Sequence, residues 1–144
     1  MKENTFSNFS MTNLETAHGD LIALFRRVIT VIDCRVLEGH RSPKRQHELF
    51  LAGMSKIDWK TAPGKEPWNP GRHGSTPSSA VDVAPYPINW SNTKRFYHFA
   101  GIVRGIASKM DIPLRWGGDW DGDMDLDDQN FMDLVHFERE DRRR

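Results

Sequence analysis

The sequence predicts an α+β fold, a small antiparallel sheet with flanking helices. Three observations lead there. Two segments carry apolar residues at helical spacing, Ala80-Val81-Asp82-Val83-Ala84 alternates as a strand does, and helices and strands interleave along the chain without an internal repeat. The length, 144 residues, suits one domain. Residues 1–144 are therefore read as a single domain with a polar lead over 1–12 and a charged tail over 139–144.

The elements follow in order. Leu14, Leu21, Leu24, Phe25, Val28, Ile29 and Ile32 predict an amphipathic helix over 13–31, with Arg26 and Arg27 on its other face. Residues 33–38 read as a short strand ended by Gly39. Ser42-Pro43 is a helix start, with Ser as N-cap and Pro at the first helical position, and that helix should stop at Gly53. Residues 54–79, rich in Pro, Gly, Ser and Thr, read as a long loop of the kind that is usually functional or disordered. The strand at 80–84 ends at Pro85. Phe96, Phe99, Ile102, Val103, Ile106 and Met110 predict a helix over 93–110, followed by a strand at 112–116, an Asp-rich loop and a last strand at 134–138.

Composition excludes several functions. Twenty basic and twenty acidic residues cancel, which argues against a nucleic-acid binder. The sum conceals a split, because residues 1–105 carry 14 Lys and Arg against 9 Asp and Glu, and residues 106–144 carry 6 against 11. Cys34 is the only cysteine, so an intrachain disulfide and a thiolate zinc site are both ruled out, and a small buried side chain is expected there. No apolar signal core opens the chain, and Arg26 and Arg27 interrupt its best apolar run. The expectation is a protein made in the cytoplasm, without stable membrane insertion, acting as a monomer.

Three segments concentrate metal-binding chemistry: His73 through Asp82, Trp116-Gly117-Gly118-Asp119-Trp120-Asp121-Gly122-Asp123, and Asp133-Leu134-Val135-His136-Phe137-Glu138. If Val81 and Val83 face the core, Asp82 faces away between two small alanines. By the same alternation Phe137 faces the core, and His136 and Glu138 face out. With His73 folding back, two His and one carboxylate leave a fourth position to water, which is a catalytic zinc arrangement rather than a closed structural one. Asp133, three residues before His136, would bring a second carboxylate beside it. His18, His40, His47 and His98 match no pattern and are expected to be structural or exposed.

These segments resemble the zinc peptidases of the D-alanyl-D-alanine carboxypeptidase and L-alanyl-D-glutamate endopeptidase family, which includes VanY-type enzymes and phage endolysins. The stretches "SSAVDVAPYPINW", "RWGGDWDGD" and "DLVHFE" carry the likeness, with eight residues between His73 and Asp82. The resemblance implies a hedgehog/DD-peptidase-type fold. It makes His73, Asp82 and His136 the zinc ligands and Asp133 the catalytic acid/base. Arg41, in Gly39-His40-Arg41-Ser42, would stabilise the tetrahedral intermediate. The implied substrate is the peptidoglycan stem peptide, cut at L-alanyl-D-glutamate after the protein reaches the cell wall. A D,D- or L,D-carboxypeptidase and an inert metal-binding or virion-structural module are the alternatives. Glu138, on the His136 face, is a candidate to orient a ligand or the substrate amine; Trp116 and Trp120 are candidate substrate contacts, and Trp68 could line the same groove. Asp121-x-Asp123-x-Asp125 has the opening rhythm of a Ca²⁺ loop, although Leu126 and Met132 stand where such a loop has Gly and Glu.

Overall fold

Side-chain alternation along two strands decides which face of the sheet is core and which is left for chemistry. Val81, Val83 and Phe137 are completely buried on one face, while their neighbours Asp82 and His136 project from the other. The computed structural model describes residues 3–53, 72–126 and 133–140. Within them lie helices α1 (Asn8–Leu14) and α2 (Gly19–Val31), strand β1 (Cys34–Glu38), helix α3 (Pro43–Leu51), strand β2 (Ala80–Pro85), helix α4 (Thr93–Lys109) and strands β3 (Leu114–Trp116) and β4 (His136–Arg139). The strands form one sheet in the order β1-β2-β4-β3, and every pairing is antiparallel. This is the α+β arrangement the sequence predicts.

The apolar stripes of α2 and α4 cover one face of the sheet. Leu21, Leu24, Phe25 and Val28 from α2 meet Phe99, Ala100, Val103 and Ala107 from α4 in the same core as Val81, Val83 and Phe137. The rings of Phe25 and Phe99 approach Phe137 edge-on, with centroids 5.6 and 6.0 Å away. Burying a side chain of this size stabilises the fold by roughly 1.5–3 kcal/mol. Phe137 therefore anchors β4 from behind while its neighbour His136 serves the opposite face.

The predicted helix over 13–31 is two helices. The first begins inside the expected polar lead: Ser7 caps α1 by accepting from the Ser10 N–H at 3.2 Å. Residues 15–18 leave the helical path because their backbone pairs with the loop before β2. The His18 N–H donates to the Ser78 carbonyl at 2.8 Å, and the Ser78 N–H donates to the Thr16 carbonyl at 2.9 Å. His18 then caps α2, its Nδ1 accepting from the Asp20 N–H at 3.0 Å. Histidine is an uncommon cap, so the break carries no strong signal in the sequence.

Helix α1 also shapes the end of β1. The Asn13 amide donates to the carbonyls of Val36 and Leu37, and the Ser10 hydroxyl accepts from the Val36 N–H. A Cβ at Gly39 would lie 2.1 Å from the Asn13 carbonyl oxygen, so only glycine permits this close approach. Helix α3 starts as expected, with Ser42 accepting from the Arg45 N–H, and the chain turns at Gly53 with a φ of 75°. Strand β4 starts two residues later than predicted, because Leu134 and Val135 form a turn pinned by Trp116, whose indole N–H donates to the Leu134 carbonyl at 2.9 Å. Strand β3 is likewise shorter than the predicted 112–116.

Residues 54–71 of the long loop, with Trp68, lie outside the described residues. So do Asp127, Asp128 and Met132 of the Asp-rich segment, and residues 141–144 of the charged tail. Among the described residues no helix is long and apolar enough to cross a membrane.

Cys34 is 4% exposed, and burial, helped by the charge of Asp33, pushes its thiol up to about 12. The thiolate is the reactive form. The native protein should therefore resist a disulfide thiol reagent at pH 8 and react with one equivalent in denaturant. Rapid labelling of the native protein would show that β1 opens or is packed differently.

Candidate metal centre

Register brings the first two groups together. Asp82 on β2 pairs directly with His136 on β4, and Glu38 lies opposite Asp82 on its other side, past a bulge in β1. His73 arrives from the loop before β2. That loop is closed by the Ser79 N–H donating to the Arg72 carbonyl at 2.9 Å and by the Ser75 hydroxyl, which accepts from the same N–H at 3.0 Å. The eight-residue spacer between His73 and Asp82 is taken up in this turn.

Three ligand-type atoms then converge. His73 Nε2 lies 3.2 Å from Asp82 Oδ1, His136 Nδ1 lies 3.4 Å from the same oxygen, and the two ring nitrogens are 3.3 Å apart. The outer nitrogens are committed elsewhere. His73 Nδ1 is 2.8 Å from the Gly39 carbonyl, which can only accept, so Nδ1 carries the proton and Nε2 presents a lone pair. His136 Nε2 is 2.8 Å from Glu138 Oε1 and donates to it, which turns Nδ1 inward. Asp82 Oδ1 is buried and has no hydrogen-bond partner among the described residues.

A cation suits this triangle. A tetrahedral ion with ligands at about 2.0–2.1 Å has ligand–ligand edges of about 3.3–3.4 Å, which matches the three separations. An edge length alone does not choose among ions. The two imidazoles decide against Ca²⁺ and Mg²⁺, because these take oxygen ligands and imidazole suits zinc and its transition-metal neighbours. His73, Asp82 and His136 can therefore hold a metal ion.

The electrostatics agree. Burial opposes charge on Asp82, but the adjacent imidazoles of His136 and His73 outweigh it and hold the carboxyl well below the usual carboxylate range. Burial likewise opposes a charged His136. Asp82 and Glu138 nevertheless raise it to about 9, so this spot favours positive charge even at a buried position. An incoming metal would displace that proton, and Glu138 fixes which nitrogen gives it up.

Asp133 stands beside the triangle. Burial raises its pKa, and the negative charge of Asp82 raises it further, although His136 and His73 pull the other way. A clamp from Gly117 positions its turn. The Gly117 N–H donates to the His136 carbonyl at 2.9 Å, and the Asp133 N–H donates to the Gly117 carbonyl at 2.8 Å. A Cβ at Gly117 would fall 2.1 Å from the Asp133 carbonyl oxygen. Arg41 is also present: its Nη2 lies 3.9 Å from Asp82 Oδ2, while the guanidinium forks onto Glu38 with two contacts of 3.0 Å and donates to Gln46 at 3.1 Å.

Burial and partners bear on three of the sequence expectations. Glu138 is 2% exposed, and of its two expected roles its contacts fit the orienting of a ligand. Its carboxylate holds His136 and is itself held by Arg115 at 2.7 Å and Arg72 at 3.3 Å. Burial works against its ionisation, but His136 and Arg115 keep its pKa low. Trp116 is 2% exposed and belongs to the core, so it shapes the turn before β4 instead of lining a groove. In the acidic loop the group that comes together is Asp119, Asp121 and Asp123, without Asp125, whose N–H donates to Asp123 Oδ1. Asp119 is buried against Arg104 at 3.0 Å and accepts from the Met124 N–H, so this carboxylate serves the loop's own structure.

Trp120 does reach the site. Its ring centroid is 5.3 Å from that of His136, and the Arg115 guanidinium sits 5.6 Å over the indole. Sequence reasoning missed Gly39 and Gly117, which act through backbone atoms and close approach. It also missed Arg72 and Arg115 as partners of Glu138. A buried acid two residues after a ligand histidine, on the same strand face, was the available signal for them.

Partners of ligating histidines typically contribute about 10–100-fold to metal affinity. Glu138→Ala should lower affinity for Zn²⁺, measured by competition against a chromophoric chelator, by about that factor. Trp120→Ala should leave it nearly unchanged. Equal affinities in the wild type and Glu138→Ala, with the fold verified by circular dichroism, would contradict the orienting role.

The comparisons with known proteins point the same way. A family model described as phage L-alanyl-D-glutamate peptidase matches residues 3–139. A crystal structure of the Serratia marcescens L-Ala D-Glu endopeptidase ChiX is similar in fold, with a TM-score of 0.68 and 27% sequence identity, over 96% of this chain and 92% of that one. No curated protein matches the chain. With the family model matching nearly its whole length and a solved L-Ala D-Glu endopeptidase sharing its fold, the chain belongs to the phage L-alanyl-D-glutamate peptidase family.

Proposed function

We propose that this protein is a zinc-dependent endopeptidase that hydrolyses the amide between L-alanine and D-glutamate in the peptidoglycan stem peptide, acting at the cell wall. The observation that carries the reading is the triangle of His73 Nε2, Asp82 Oδ1 and His136 Nδ1 beside the half-buried carboxyl of Asp133. Family membership supports the endopeptidase over a D,D- or L,D-carboxypeptidase. The triangle and Asp133 together support turnover over an inert module. Calcium in the acidic loop has less support, since Asp119 is already paired with Arg104.

His73, Asp82 and His136 would hold the metal, a role that their donor set supports. Zinc at that position would supply Lewis acidity, enough to lower the pKa of a water to about 7 and to polarise the scissile carbonyl. Asp133 takes the proton from the attacking water and returns it to the departing amine of D-glutamate. Its raised pKa suits both halves of that transfer, because a carboxyl poised closer to neutrality accepts and releases a proton more readily. Gly117 holds the turn that aims this carboxyl. Arg41, kept rigid by Glu38 and Gln46, offsets negative charge gathering on the carbonyl oxygen. Trp120, packed beside His136, walls one side of the cleft.

Two sets of variants test these roles by zinc content and by mass spectrometry of digested muropeptides. His136→Ala should lose zinc and activity together. Asp133→Asn should keep zinc while kcat falls by about 10²–10⁴-fold. Full activity in Asp133→Asn would remove it from the proton transfer.

Gly117→Ala should keep its zinc ligands but displace the Asp133 turn, lowering kcat by about 10²-fold, because small misplacements of catalytic groups cost that much. Wild-type kcat in this variant would show that the clamp is not needed.

A further inference from the structure

A cavity of about 200 Å³ opens beside Asp133, lined by Trp90, Phe96, Leu134 and Val135 as well. Trp90 is 63% exposed, yet it is not loose. Its indole stacks on the ring of Phe96, with centroids 5.5 Å apart and planes within 15° of parallel, and Phe96 is buried in α4. A large aromatic face held rigid and left open to solvent is a ready contact surface for a flat, partly apolar ligand. Asp133 joins this pocket to the metal triangle, so whatever fills it lies next to the scissile bond.

The two sides of an L-alanyl–D-glutamate bond differ in chemistry. On the acyl side are the alanyl methyl, the lactyl group and the muramic acid sugar, which form an uncharged stretch. On the amine side is the D-glutamate carboxylate. A pocket walled by two aromatic rings, Leu134, Val135 and the Asp133 carboxyl favours the uncharged side and repels the carboxylate. Arg115 on β3 and Arg72 in the loop before β2, both partly exposed, gather around Glu138 of β4, which suits the anionic side.

We infer that the Trp90 pocket is the acyl-side subsite, holding the lactyl group and the muramic acid sugar with a face of the sugar on the Trp90 indole. The inference rests on the endopeptidase reading above. It makes Trp90 a specificity residue for stem peptides still attached to the glycan.

The test compares N-acetylmuramyl pentapeptide with the same pentapeptide carrying only an N-acetyl group. Wild type should cut both between L-Ala and D-Glu and prefer the muramyl substrate. Trp90→Ala should lower kcat/KM for the muramyl substrate about tenfold, mainly through KM, and leave the sugar-free peptide unchanged. Trp90→Phe should restore most of the difference. An equal loss on both substrates, or no loss on either, overturns the subsite. If wild type cuts neither substrate at this bond, the endopeptidase reading fails and the subsite fails with it.

Discussion

Three electron-pair donors face one another across 3.2–3.4 Å at the centre of this protein, and no proton settled between them relieves all three contacts. Left alone, such a cluster of two imidazole nitrogens and a carboxylate oxygen is costly in a buried place. Much of the surrounding structure is organised to hold that arrangement. The core clamps β2 and β4 from behind through Val81, Val83 and Phe137. The Gly39 carbonyl and the Glu138 carboxylate fix the two imidazoles from outside. Arg115 and Arg72 in turn hold Glu138, so the support extends from the triangle to a third layer of residues.

The two glycines in this frame act through what they lack. Gly39 lets α1 press against the end of β1 and so aims its own carbonyl at His73. Gly117 lets β3 close on the Asp133 turn with backbone hydrogen bonds on both sides. One sets a metal-site tautomer and the other sets the angle of the proposed acid/base. The side chains that carry the chemistry are thus placed by backbone groups of residues that carry none.

Much of this was legible in the sequence because it rests on periodicity. The alternation around Asp82 and His136 gave their shared face, and the spacing of Phe96 through Met110 gave α4. The family resemblance, more than periodicity, added His73 to that face and set Asp133 beside it. What escaped notice depends on contacts between distant segments. The break at residues 15–18 comes from pairing with Ser78, and the late start of β4 comes from Gly117 and Trp116. The depth of Glu138 comes from two arginines far away in sequence. Strand alternation put Glu138 on the correct face but could not show that the face is covered there. The same limit misplaced Trp116, whose aromatic character suits a groove and a core equally. The excess negative charge of residues 106–144 is also partly absorbed inside the fold, since Asp119 lies buried against Arg104.

The central claim is that the two histidines present opposite nitrogens to one metal, His73 through Nε2 and His136 through Nδ1. Nitrogen-15 spectra of the zinc-loaded, histidine-labelled protein, correlated to the ring carbon protons, read this directly. The expected spectrum has one histidine protonated at Nδ1 with Nε2 metal-bound and a second with the reverse pattern, the latter lost in His136→Ala. Two histidines bound through the same ring nitrogen, or only one shifted on adding zinc, would contradict the account.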